Sequence, residues 1–203
     1  MANTCGMTYQ LFLALLGFAF VTSVTPGPNN MMLMASGANF GFRRTLPHMF
    51  GISLGHALMV FLVGLGLAGM IHAVPGLLIG MKVASVLYMV WLAWKIARSA
   101  APGEGRARGQ PFSFLQAAAF QWVNPKAWAM ALGATSAYAP DGSVRSYLMV
   151  AAVFAMVNLP SVSLWAIAGQ NIRRFLSSPS RLRTFNWVMA GLLILSLLPV
   201  IFE

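Results

Sequence analysis

The chain has 203 residues, 59% of them hydrophobic and only 8% charged, with a mean hydropathy of +0.75; soluble domains carry roughly 25% charge, so this apolar surface does not fit inside one water-soluble core. The net charge of +10 would suit an anionic polymer on a soluble protein, yet ten of the thirteen Lys and Arg fall in three short hydrophilic gaps between apolar runs, a pattern that reports membrane topology and not nucleic-acid binding. The single cysteine, Cys5, excludes an intramolecular disulfide and a cysteine-based metal site, and no cofactor or metal ion is expected.

Crossing the hydrocarbon takes about 20 apolar residues, and six windows meet that length, over 9–40, 46–70, 76–97, 112–138, 144–169 and 184–202. The first, with no basic segment ahead of its apolar run at 11–24, reads as a retained span and not as a cleaved leader. It is interrupted by Thr25-Pro26-Gly27-Pro28-Asn29, with Asn30 next. Proline lacks the N–H and clashes with the preceding turn, so a mid-span proline leaves main-chain polar groups bare, which a membrane tolerates only beside a cavity or ligand. Arg43 and Arg44 fill the gap that follows.

The second window carries His56 about a third of the way along, with Gly51 and Gly55 before it and Gly64, Ala68 and Gly69 after it. The small residues form helix-packing seams. His56 is either a hydrogen-bonded packing residue or a group that titrates near neutral pH; His48 and His72, near span ends, read as interfacial. In the third window Lys82 lies about two turns in, placed either to snorkel outward or to serve in coupling. Tyr88, Trp91 and Trp94, toward its other end, read as an interfacial belt.

Residues 98–111 form the one soluble-looking linker, rich in Gly and Arg, and divide a single membrane domain over 1–203 into half one, 7–97, and half two, 112–203. Asn124-Pro125-Lys126 interrupts the first window of half two as the earlier prolines interrupt that of half one. Asn124 reads as an N-cap with Pro125 at the first helical position, and Gly27-Pro28 restarts a helix in the same way. Each restart presents a helix N-terminus with free N–H groups and partial positive charge, suited to a carboxylate, with Asn29, Asn30 and Lys126 as side-chain donors nearby. Lys126 lies at mid-span, where a charge costs about 2.5–3.5 kcal/mol. Trp122 and Trp128 flank this break as candidates to line a cavity.

Three spans in each half force the halves to point in opposite directions, the arrangement of inverted-repeat transporters, in which paired helix breaks mark a midplane binding site. The basic gaps at 43–44, 95–108 and 173–183 belong inside, which puts both termini outside. No Asp or Glu lies in any window: Glu104 and Asp141 are in loops and Glu203 ends the chain. A buried carboxylate as proton carrier or cation ligand is thereby excluded, and a neutral zwitterion or an anion is favoured over a basic solute.

The motifs resemble those of the LysE/RhtB amino-acid exporters: Thr25-Pro26-Gly27-Pro28-Asn29 after an apolar span, Gly41-Phe42-Arg43, Gly51 to Gly55-His56, Lys82 through Tyr88, and Asn124-Pro125-Lys126 opening half two. The resemblance implies a six-span bacterial inner-membrane exporter of amino acids or their derivatives, driven by the proton motive force, with both proline motifs near the transport path. It also implies intramembrane aspartate in exporters of lysine and arginine; its absence here favours the homoserine/threonine branch.

Sequence reasoning thus gives an all-α integral membrane protein of six transmembrane helices in two inverted three-helix repeats, the first helix of each half broken at proline. Its expected activity is secondary-active, proton-coupled export of neutral amino acids, with Pro26, Gly27, Pro28, Asn29, Asn30, Asn124, Pro125, Lys126 and Trp128 binding the solute and His56 or Lys82 as coupling groups. The expected partners are a small amino acid and the lipid bilayer, without nucleic acid, and a homodimer through the glycine seams is allowed. Two alternatives stand beside it. A passive channel would use the opposed helix dipoles to repel cations. An intramembrane enzyme would have to build on Ser53 and His56, three residues apart and lacking an acidic orienter.

Overall fold

The computed structural model of the chain describes residues 7–74, 76–99, 110–176 and 178–198. Cys5, Glu104, Arg106, Arg108, Glu203, most of the 98–111 linker and the side chain of His72 lie outside the described residues. Helices α1 (Tyr9–Val24) and α2 (Pro28–Phe40) are bent by 56° about the Thr25–Gly27 break. A single residue, Gly41, joins α2 to α3 (Phe42–Leu62). Its φ of +82° is a left-handed conformation that suits glycine, and the Gln170 side chain accepts the freed N–H of Phe42 at 2.6 Å. Arg43 and Arg44 thus sit inside the first turn of α3 and not in a loop.

A π-helical turn, Val63–Leu67, with Gly66 at φ +100°, kinks α3 into the short α4 (Ala68–His72). Then come α5 (Leu77–Ala97), α6 (Phe114–Gln121), α7 (Pro125–Tyr138), α8 (Val144–Ile172) and α9 (Pro179–Leu195). Side chains of Thr8, Ser113, Ser143 and Ser178 cap α1, α6, α8 and α9.

Three continuous stretches are long and apolar enough to cross a bilayer, Phe42–Met70, Ile79–Ala97 and Val144–Phe175, and the bent α1–α2 pair makes a fourth. The expected count of six is not reached on this criterion. Among the described residues α6, α7 and α9 have 8, 14 and 17 residues, each short of the roughly 20 a straight crossing takes. Large apolar side chains such as Phe20, Leu54, Leu58, Met156 and Leu164 are exposed around the bundle, as expected of helices that face lipid.

The core is held by backbones in near contact. α8 packs against α1, α2 and α3, and α3 packs against α6. A Cβ on Gly37 would collide with the Ala166 carbonyl, and one on Gly169 with the Met34 carbonyl, so α2 and α8 touch through glycine on both sides. Gly51 and Gly55 do the same for α3 against α6, where an added Cβ at Gly55 would stand 2.7 Å from the Ala118 Cα. The Gly51 and Gly55 seam is therefore used within the chain, whereas a Cβ on Gly69 would meet nothing within 4 Å. His48, expected at the interface, is fully buried against Phe112, ring centroids 5.2 Å apart. Trp91 and Trp94 are exposed on α5, with Lys95 and Arg98 over their rings.

Candidate functional site

Ending a helix inside a membrane leaves its last carbonyls without intrahelical partners, and at the first break each has another. Thr25 N–H donates to Val21 O at 3.1 Å and Thr25 Oγ1 to Thr22 O at 3.1 Å. Asn30 Nδ2 donates to Ser23 O at 2.9 Å and Thr25 O at 2.7 Å, and the Trp165 indole to Val24 O at 3.0 Å. At the second break the Trp128 indole donates to Trp122 O at 2.9 Å and Ser85 Oγ to Val123 O. Main-chain turns close onto Ala119, Phe120 and Gln121.

The two breaks meet. Lys126 Nζ, one residue past Pro125, reaches Thr25 O and Thr25 Oγ1 at 2.8 Å each and Pro26 O at 3.3 Å. Asn29, one residue past Pro28, exchanges two amide hydrogen bonds with Gln121 in the last turn of α6, at 2.9 and 3.2 Å. Each restarted helix thus extends its second residue to the end of the opposite half's broken helix.

The restarts differ in what they leave free. Asn124 caps α7 through Oδ1 with Lys126 N–H at 3.2 Å, whereas α2 has Gly27 before Pro28 and no side-chain cap. The main-chain N–H groups of the first turn of α2 are accordingly the better-placed anion donors. Asn30 and Lys126 both turn toward the carbonyls of α1, so in this conformation their donors are engaged within the protein.

A cavity of about 20 Å³ lies at the junction, lined by Gly27, Asn29, Asn30, Gln121, Asn124 and Lys126 together with Ser23, His56 and Asn158. That is room for about one water molecule. His56 is 2% exposed, packs edge-on against Phe154 at 5.1 Å, and has no hydrogen-bond partner on either ring nitrogen. Ser53 donates instead to Asn158 Oδ1 at 3.1 Å, and Asn158 donates to Ser23 Oγ at 3.3 Å. Ser53 and His56 are therefore not hydrogen-bonded, and the nucleophile and base an enzyme would need are unpaired.

Of the expected site residues, the structure gathers Gly27, Asn29, Asn30, Asn124, Lys126 and His56 around the cavity, with Pro26, Pro28 and Pro125 at the adjoining breaks. Two are corrected. Trp128 turns its indole onto Trp122 O and packs edge-on with Trp122 at 6.3 Å, so the Trp128 indole serves the break's own hydrogen bonding and neither tryptophan lines the cavity. Lys82 is exposed on α5 and does not line it either. Sequence reasoning missed Gln121 and Asn158, whose signal was an amide in the middle of an apolar run, and Thr25 as the seat of Lys126.

Residues 20–197 match the family described as LysE type translocator. The chain is 33% identical to a cysteine/O-acetylserine efflux protein of Escherichia coli O139:H28 (strain E24377A / ETEC) over 191 residues, 93% of this chain and 96% of that one. It is 32% identical, with the same coverage, to proteins of the same description in Escherichia coli (strain K12) and Shigella sonnei (strain Ss046). No solved structure matches the chain.

Proposed function

The chain belongs to the LysE type translocator family, and from that premise we propose that it is a secondary-active exporter of small neutral amino acids and their derivatives, driven by protons. It is a multi-pass protein of the bacterial inner membrane. The substrate class takes in cysteine and O-acetylserine, which its relatives' descriptions name, and the similarly sized homoserine and threonine.

The observation that carries the reading is the crossed pair of contacts, Lys126 to Thr25 and Pro26, and Asn29 to Gln121. Two helix breaks far apart in sequence meet around one polar cavity, the arrangement that inverted-repeat transporters use for a midplane site. The inverted repeat has further support. Offsetting the halves by the spacing of Pro28 and Pro125 pairs Asn29 with Lys126, and each of these reaches the opposite half's first helix. The α3 contact with α6 has its counterpart in α8 against α1 and α2.

In this reading the solute carboxylate docks at the uncapped start of α2, assisted by Lys126 and Asn124, and rocking of the halves alternates access. His56, buried beside the cavity with both ring nitrogens unpartnered, is the coupling group we favour. A passive channel draws no support from a junction with room for about one water.

The test loads cells with labelled cysteine, O-acetylserine, homoserine, threonine and lysine, and follows efflux with and without an uncoupler. Efflux of the neutral compounds, collapsed by the uncoupler and abolished in Pro28→Ala and Lys126→Ala variants that still insert, is the expected result. Unchanged efflux in those variants would defeat the proposal.

A further inference from the structure

We infer that Lys126 occupies the seat of the substrate's own ammonium group: a zwitterion enters by placing its ammonium on Thr25 and Pro26 and releasing Lys126 to hold its carboxylate. The inference rests on the exporter reading above and specifies how that site recognises both ends of its substrate.

An ammonium has three donors and no acceptor. Lys126 Nζ finds three acceptors at the end of α1, Thr25 O, Thr25 Oγ1 and Pro26 O. The C-terminal end of a helix carries partial negative charge, so this is a cation seat built without a carboxylate. The α-ammonium of an amino acid has the same donor set. A fixed lysine in the seat is a tethered stand-in for it.

Three further observations point to exchange. The cavity beside the seat, about 20 Å³, is far too small for an amino acid while the lysine lies across it. The lysine stem runs over Gly27, where a Cβ would come within 2.8 Å of its Cδ, so it rests on bare backbone and, among the described residues, meets no carboxylate that would retain it. The same cavity holds His56, nine-tenths buried with both ring nitrogens unpartnered, and adjoins the uncapped start of α2. It therefore offers polar groups to a solute as well as space once the lysine moves.

Charge is conserved in the exchange. Before it, one cation sits on the α1 carbonyls; after it, the substrate ammonium sits there and Lys126 is neutralised by the substrate carboxylate. A compound with an ammonium but no carboxylate would leave two cations side by side at membrane depth, and a carboxylate without an ammonium would leave the seat to Lys126 and the cavity closed.

O-acetyl-L-serine and N-acetyl-L-serine are isomers that differ in having and lacking the ammonium, and L-serinamide lacks the carboxylate. In proteoliposomes carrying the wild-type protein, counterflow of labelled O-acetyl-L-serine is measured against each as competitor. N-acetyl-L-serine and L-serinamide should both compete about 100-fold more weakly than unlabelled O-acetyl-L-serine, the size of effect expected when one partner of a charge pair is missing. In Lys126→Met the seat is vacant and the lysine partner of the carboxylate gone, so in equilibrium binding to the purified variant, which needs no turnover, unlabelled O-acetyl-L-serine and L-serinamide should displace labelled O-acetyl-L-serine to within about 5-fold of each other.

Wild-type counterflow of O-acetyl-L-serine that N-acetyl-L-serine inhibits equally well would overturn the ammonium seat and leave the exporter reading intact. Discrimination against L-serinamide that persists in Lys126→Met would overturn the role of the lysine. The wild-type comparison of isomers needs no variant to fold. No counterflow or efflux of any neutral amino acid would remove the exporter reading, and this inference with it.

Discussion

Gly27 leaves space for the Lys126 side chain only because it has no Cβ. In Gly27→Ala the new methyl would meet Lys126 Cδ at 2.8 Å and press the ammonium off Thr25 and Pro26. The methyl would also fill part of a cavity of about 20 Å³ that substrate must enter, so efflux should fall by about 10-fold through overpacking of the site, while the amount of protein in the membrane is unchanged. Asn30 has a structural task that its neighbours lack. It is the donor to Ser23 O, and it shares Thr25 O with Lys126. Asn30→Leu should lower unfolding stability in detergent by about 1–3 kcal/mol, the cost of leaving a buried polar group unmatched. The prolines and the residues around them could be singled out from the sequence because a broken helix in lipid must have a reason. The direction in which Asn30 and Lys126 point could not. Both are polar groups near a helix start, and only the position of the α1 carbonyls, a property of the folded chain, decides that they turn to the end of α1.

At the scale of helices, glycine content does not predict contact, whereas the local neighbourhood does. Gly169 lies against the Met34 carbonyl, and Gly69 on α4 has nothing within 4 Å of an added Cβ. Gly169→Ala should therefore cost about 1–3 kcal/mol through overpacking of backbone on backbone. Gly69→Ala should be neutral or stabilise by about 0.5–1 kcal/mol, since alanine favours helix at no steric cost. Thermal unfolding of the two purified variants checks the difference in sign. The seam at Gly51 and Gly55 was evident in the sequence from its spacing, but its partner, α6, was not, nor was the opposing seam at Gly37 and Gly169. The six windows were likewise evident as apolar stretches. Their division into short helices, with α6 only 8 residues long, depends on breaks whose depth hydropathy does not resolve.

For the whole molecule, we propose from the distribution of Arg and Lys an orientation that labelling can read. In a Cys5→Ala background, Asp141→Cys in the exposed turn before α8 should react with a membrane-impermeant maleimide added to intact cells. Ser180→Cys, beside Arg181 and Arg183, should react only after permeabilisation. The opposite pattern would reverse the assignment. One dimension sets a further condition on how such a molecule works. The 29 residues of α8 make a rod of about 43 Å, longer than the roughly 30 Å of hydrocarbon it crosses, so it lies oblique to the membrane normal or extends beyond it. Because α8 packs on α1, α2 and α3 together, we expect a change in its slant to be felt by both segments of the bent α1–α2 pair. Lipids with shorter or longer acyl chains should therefore tune the turnover of the reconstituted protein, with thickness acting as a mechanical load applied through its longest helix.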